Sequence, residues 1–277
     1  EIDSDCLIHV IRKGFTVSEI KIDCMFLKPE HGMNPESELL YQKNLLSVTC
    51  QVITAERNKP DIVLFLNGIP VATVELKTPS KGQSFESAIT QYKNDRDPKD
   101  RLFSFKRGAL VHFAVDPYQV HLTTKLQKEK TFFLPFNKGK DHGLGNPDNP
   151  DGYPTSYLWE HVWQKDNLIE IISNFIELQI IPQKFPRKDK ETLIFPRYHQ
   201  LDAVLRLTDD TKQNGPGKNY LIQHSPGSGK SNTIAWLAYK LLRLFDKQDN
   251  PVFDGILIIS DRKVVVNQLG DIVAEFE

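Results

Sequence analysis

No run of about 18 apolar residues occurs in this 277-residue chain, so nothing in it reads as a membrane-spanning helix. Cysteine is scarce. Cys6, Cys24 and Cys50 lie far apart without Cys-x-x-Cys spacing, which excludes a zinc site and a disulfide framework and points to a reducing, cytoplasmic compartment. An excess of one charge is missing too: 35 Lys and Arg stand against 36 Asp and Glu, for a net charge of −1. No global field therefore draws the chain to a polyanion, and any such contact must come from local clusters. No signal peptide or internal repeat is read in these residues. The chain starts at Glu1 rather than Met and stops at Phe276-Glu277, so it reads as a piece of something larger. With 39% hydrophobic and 26% charged residues, it has the composition of a globular protein with room for two domains.

The organisation along the chain follows from periodicity and turn signals. Residues 1–125 predict a leading helix and then strands at Leu46–Ile53, Asp61–Leu66, Ile69–Lys77, Ala109–Val115 and Gln119–Thr124, with a helix at Phe85–Lys93. A loop dense in Gly, Asn, Asp and Pro spans 137–154, and its length suggests a functional role at a junction between domains, with Asn137 and Asn146 bonding across it. Helical runs at Ser156–Trp163 and Asn167–Leu178 come next. Pro182, Pro186 and Arg187-Lys188-Asp189-Lys190 then read as a linker. Beyond it the pattern is helix, strand at Asn219–Gln223, Gly-rich turn, helix, strand at Gly255–Ser260 and a last helix, the βαβ start of a parallel sheet.

Two stretches carry chemistry. The first is His224-Ser225-Pro226-Gly227-Ser228-Gly229-Lys230-Ser231, set between the predicted strand and an amphipathic helix. Free backbone N–H groups and the positive end of a helix dipole make such a turn an anion site. Pro226, Gly227, Ser228 and Gly229 form the cradle, Lys230 reaches the β/γ-phosphates of a nucleotide, and the Ser231 hydroxyl ligates Mg²⁺. The strict phosphate-loop pattern asks for Gly at the place of His224.

The second stretch runs from Asp61 to Lys77. Asn67-Gly68 between apolar runs signals a hairpin, because both central residues of a type I′ turn need positive φ. Glu75 and Lys77 are two apart and share a face, a costly placement in an apolar strand unless it serves chemistry. A two-residue turn pairs Leu66 with Ile69, so Asp61 faces Val74 and misses Glu75 by one residue. A bulge, or a bend at the strand end, must correct the register if the charges are to converge. Converged, Asp61 and Glu75 can hold Mg²⁺, and Lys77 can position water or stabilise developing charge. Two carboxylates so close repel, so at least one should titrate high.

The order of these motifs resembles the restriction (R) subunit of type I restriction-modification enzymes. The hairpin Asp61–Lys77, Leu134-Pro135-Phe136-Asn137, Gly145-Asn146-Pro147, Tyr157-Leu158-Trp159-Glu160 and Arg197-Tyr198-His199-Gln200 carry that resemblance, and His224 fits it. It covers roughly residues 35–277. The resemblance implies an α/β architecture: a PD-(D/E)xK restriction-endonuclease-like mixed sheet over 1–180, then part of a RecA-like P-loop motor lobe over 181–277. It implies Asp61, Glu75 and Lys77 as the nuclease triad and Gln200 as the glutamine that reads adenine. Ile258-Ile259-Ser260-Asp261-Arg262 and Asn267-Gln268-Leu269 are similar to the next motor motif. The family's Gln-x-x-x-Tyr after the triad has no full match. Ala88 stands four residues before Tyr92, so Gln91 and Tyr92 are the positions carried over. Further implications are double-stranded DNA as substrate, ATP and Mg²⁺ as cofactors, and methylation and specificity subunits as partners. The remaining motor motifs are expected beyond Glu277.

Lys81, Lys93, Arg96, Lys99, Arg101, Lys106 and Arg107 form a basic stretch beside the hairpin. Glu86, Asp95, Asp97 and Asp100 offset it, so it reads as a phosphate contact or a solvated face. His112 and His121 read as core or edge residues, and His142 lacks a partner at metal spacing. Two other readings share these motifs: an autonomous DNA-repair helicase-nuclease, and a catalytically inactive DNA-binding or assembly module.

Overall fold

The computed structural model describes residues 46–260 apart from 55, 56, 142, 182 and 184–188. The expected leading and last helices, Cys6, Cys24, His142, Pro182, Pro186 and the stretch from Asp261 onward lie outside the described residues. The chain divides into two compact units, residues 1–195 and 196–277.

The first unit is built on a mixed six-stranded sheet whose strands neighbour one another in chain order. They are β1 (Leu46–Cys50), β2 (Ile62–Leu66), β3 (Ile69–Leu76), β4 (Val111–Val115), β5 (Val120–Thr123) and β6 (Leu134–Pro135). Every pair is antiparallel except β3 and β4, which run parallel. A parallel pair needs a crossover, and α1 (Phe85–Asn94) lies in it. Ser84 starts α1: its hydroxyl accepts from Glu86 N at 3.2 Å, while Ser87 Oγ accepts from Ser84 N at 3.3 Å. Asp116 ties this start to the β4–β5 turn, accepting from Phe85 N at 2.9 Å through one oxygen and from Tyr118 N and Gln119 N through the other.

The β2–β3 hairpin closes at Asn67 and Gly68, whose φ values of 52° and 78° are those a type I′ turn requires. Pairing runs Leu66 with Ile69 and Phe65 with Pro70, then jumps to Leu64 with Ala72, leaving Val71 as the extra residue of a bulge. Pro70 has no N–H for the ladder, so a bulge beside it forfeits little. The expected shift is therefore present.

Period two then assigns the faces. Val63, Thr73, Glu75, His112 and Ala114 share one face by their pairing. Ala88 and Tyr92 of α1 pack there with Leu102 and Phe103. Ile62, Leu64, Val74, Leu76 and Phe113 point the other way. There Phe113 meets the rings of Trp163, Phe136 and Phe195 edge-on at 5.4, 5.9 and 6.0 Å. Both faces are covered, which is why the central strands read as near-continuous apolar runs.

The chain after β6 departs from expectation in two places. The predicted helix at 156–163 is a single π-helical turn, Leu158–Val162. The next, α2 (Lys165–Asn174), stops short of Leu178, because β7 (Glu177–Ile181) pairs antiparallel with β8 (Lys190–Ile194). The described residues on either side of the expected linker are thus strands paired with each other. Ladder bonding across two five-residue strands outweighs the Pro and charge signals between them.

The second unit holds α3 (Tyr198–Asn214) and α4 (Lys230–Leu242). The strands expected at 219–223 and 255–260 form no ladder among the described residues, so the βαβ pair predicted there is not seen. Leu221, Leu257 and Ile259 are 92, 83 and 83% exposed. Parallel strands are stabilised only by neighbours brought in over long connections, and nothing local substitutes for these.

Candidate active site

Asp61 precedes β2 and Lys77 follows β3, so both stand at the same end of the hairpin as Glu75. Beyond the bulge the pairing reaches Ile62 with Val74. One further residue sets Asp61 opposite Glu75, on the same face. Asp61 Oδ2 accepts from Leu76 N at 2.7 Å, which fixes its carboxyl against the last residue of β3.

Glu75 is fully buried. Its Oε1 lies 2.7 Å from both Nε and Nη2 of Arg96, while its Oε2 is buried without a hydrogen-bond partner. The carboxyl is raised to about 8 from its ordinary value. Burial is the largest cause and the charge of Asp61 the second, while Arg96 and Lys77 pull the other way. The expectation that one carboxyl titrates high is met, with desolvation ahead of mutual repulsion.

Gln91 sits half-buried on α1. Tyr92, one position on, is wholly buried in the core beneath the same sheet face. Its hydroxyl shares a 2.9 Å hydrogen bond with Thr73 Oγ1, which shares another at 2.8 Å with His112 Nδ1. Burial, then the charge of Glu75, pushes the phenol well above its ordinary range. Tyr92 thus enters a polar chain inside the domain, next to Glu75 on β3.

Arg96 and Asp100 correct the picture of a solvated or phosphate-facing stretch. Both are buried. Asp100 Oδ2 accepts from Thr54 Oγ1 and from Asn58 Nδ2, each at 2.6 Å. Nothing in the spacing signals these roles, since the Arg96–Glu75 pair joins residues 21 apart through a crossover. The 137–154 loop is likewise used within the first unit. Asn137 Oδ1 accepts from Val120 N and Asn146 Nδ2, and Asn146 Nδ2 also donates to Tyr118 O at 2.8 Å.

In the second unit, Gly227 and Gly229 adopt φ values of 72° and 81°, and Gly229 is the N-cap of α4. Pro226 is exposed, Ser228 is buried, and Ser231 is half-buried as the second residue of α4. Lys230 Nζ donates to the carbonyls of Ser225 at 2.9 Å and His224 at 3.2 Å. Gln200 is also committed: its Oε1 accepts from Arg197 N at 2.9 Å and its Nε2 donates to Gly229 O at 2.8 Å. A Cβ on Gly229 would lie 2.5 Å from that Nε2, so Gln200 would have to shift, and the positive φ favours glycine in any case.

Among the described residues no group of three or more His, Cys, Asp or Glu is placed to hold a metal, and no helix is long and apolar enough to cross a membrane. Two carboxylates are still a sufficient protein contribution for Mg²⁺, which keeps several waters and takes other ligands from phosphates. The partnerless Oε2 of Glu75 fits that role.

Fold and site together define a mixed α/β domain with a carboxylate pair at a sheet end, joined in sequence to a glycine-rich loop. Comparison with known proteins is more specific: residues 10–131 match the type I restriction enzyme R protein N terminus. The chain is 26% identical over 226 residues to the type I restriction enzyme MjaVIIIP endonuclease subunit of Methanocaldococcus jannaschii, covering 76% of this chain and 19% of that protein. It is 30% identical over 230 residues to the MjaVIIP endonuclease subunit of the same organism, covering 75% and 18%. To the type I restriction enzyme HindI endonuclease subunit of Haemophilus influenzae it is 25% identical over 217 residues, covering 76% and 19%. The chain thus spans about a fifth of the length of these relatives.

Proposed function

We propose that this chain supplies the nuclease site and the nucleotide loop of a type I restriction enzyme, which cleaves unmodified double-stranded DNA with Mg²⁺ and is driven along it by ATP. Methylation and specificity subunits are its partners, and the first unit is its PD-(D/E)xK nuclease domain. The observation that carries the reading is the β3 bulge, which aligns Asp61 with Glu75 across the hairpin.

Asp61 and the free Oε2 of Glu75 hold the cation. When bound, Mg²⁺ polarises the phosphodiester and lowers the pKa of water. Asp61 is oriented by Leu76 N and Glu75 by Arg96, so neither carboxyl reorganises when charge develops. Lys77, one residue past β3, stabilises the developing negative charge on the phosphate. In the second unit, Gly227 to Ser231 cradle the phosphates of ATP, and Lys230 exchanges its two carbonyl partners for them. Gln200 presents its amide to adenine by giving up Gly229 O and Arg197 N.

Plasmid cleavage by the complex reconstituted with methylation and specificity subunits tests the reading. Asp61→Asn, Glu75→Gln and Lys77→Ala should each lower cleavage by roughly 10²–10³-fold, the usual effect of losing one electrostatic stabiliser. ATP turnover should stay. Full cleavage by Glu75→Gln would leave the first unit as an assembly module.

A further inference from the structure

We infer that Arg96 is the positioning residue of the carboxylate site: it ties down one oxygen of Glu75 and leaves the other for the divalent cation. This rests on the nuclease reading above. Arg96 follows α1, buried, with Nε and Nη2 both directed at Glu75 Oε1 at 2.7 Å. The same Nη2 donates to the carbonyl of Lys59 at 3.0 Å. Lys59 lies two residues before Asp61, so a single guanidinium joins the strand bearing Glu75 to the segment that delivers Asp61.

Asp100 strengthens this clamp. It grips Thr54 and Asn58 of the same segment and accepts from Leu102 N at 2.9 Å. Arg96 and Asp100 therefore bind the β1–β2 connection from the chain that follows α1. A guanidinium suits the task because its planar fork meets two acceptors at a fixed angle, which an ammonium does not.

The ion pair of Arg96 is with Oε1 of Glu75. Glu75 Oε2, buried and without a partner, is the atom left for the cation. Without Arg96, Glu75 would keep its burial and the repulsion of Asp61 but lose its orientation and its main compensating charge.

Calorimetric titration of the full chain with Mn²⁺, beside far-UV circular dichroism of each variant, tests the inference without needing activity. Arg96→Gln should weaken Mn²⁺ binding by roughly 10–100-fold, the usual effect of losing a group that orients a metal ligand. Arg96→Lys should recover part of that loss. Wild-type affinity in both variants, or tighter binding in Arg96→Gln, would overturn the inference; tighter binding would mean that Arg96 competes with the cation. If Arg96→Gln does not fold, Arg96→Lys decides alone, and wild-type affinity there overturns it. Asp61→Asn separates the two readings. Binding lost in Asp61→Asn but kept in the Arg96 variants sinks only the role of Arg96. Wild-type protein that binds no Mn²⁺, or binds it unchanged after Asp61→Asn, sinks the nuclease site and this inference with it.

Discussion

His112 shows what a buried polar residue costs and where the cost appears. Burial pushes its imidazole from 6.5 down to about 3, and the bond to Thr73 keeps it in the chain that ends at Tyr92. In the unfolded chain it takes up a proton near its ordinary value. Its contribution to stability is therefore full above 6.5 and is lost as pH falls from there towards 3. Glu75 acts with the opposite sign: raised to about 8, it contributes fully below 4.5 and loses that contribution as pH rises through 8. Urea unfolding between pH 7 and pH 4 should show a steeper loss for the wild type than for His112→Gln; parallel curves would refute this. Asp61 has two duties, since it also satisfies Leu76 N. Asp61→Ala should lower stability by about 1–3 kcal/mol through the orphaned amide, whereas Asp61→Asn keeps an acceptor and should melt close to wild type. Thermal melts of the two variants check this.

At the level of elements, the loop after β6 is stapled rather than free. Asn137 and Asn146 hold each other and the β5 end of the sheet, with Lys138 N donating to Asn146 Oδ1 at 2.8 Å. Asn146→Ala would leave Lys138 N and Tyr118 O without these partners, an expected loss of about 1–3 kcal/mol. Hydrogen exchange should speed up at Lys138 in that variant and not in α1. Equal protection in both proteins would show that the loop holds its place by backbone bonds alone. The β7–β8 hairpin teaches a related lesson. Proline and charge mark an interruption, but they do not say whether the flanking residues pair with each other, because the deciding ladder lies mostly outside the marked residues.

At the level of the whole molecule, the proposed chemistry is divided between two compact units, with the carboxylates in 1–195 and the glycine-rich loop in 196–277. Lys230→Ala should abolish binding of a fluorescent ATP analogue, because Lys230 is the loop's cation for the phosphates, and should leave Mn²⁺ titration of the carboxylate site unchanged. Loss of both from this one substitution, in folded protein, would mean that the two sites are coupled.

Local physics made much of this protein legible in its sequence. Asn67-Gly68 can hardly be anything but a turn needing positive φ, the apolar strands around it follow from period two, and the hairpin carries a resemblance to type I restriction R proteins that the match over residues 10–131 includes. Even the need for a register correction, by a bulge or a bend, followed from counting residues back from that turn. Tertiary structure alone decided that Glu75 would have one oxygen held and one left over, since its partner Arg96 arrives through a crossover and its burial depends on α1 covering that face. The same holds for Asp100 and for the two unformed strands of the second unit. A turn is settled by the residues within it. Burial, a long-range ion pair and a parallel ladder are settled by what the rest of the chain brings alongside.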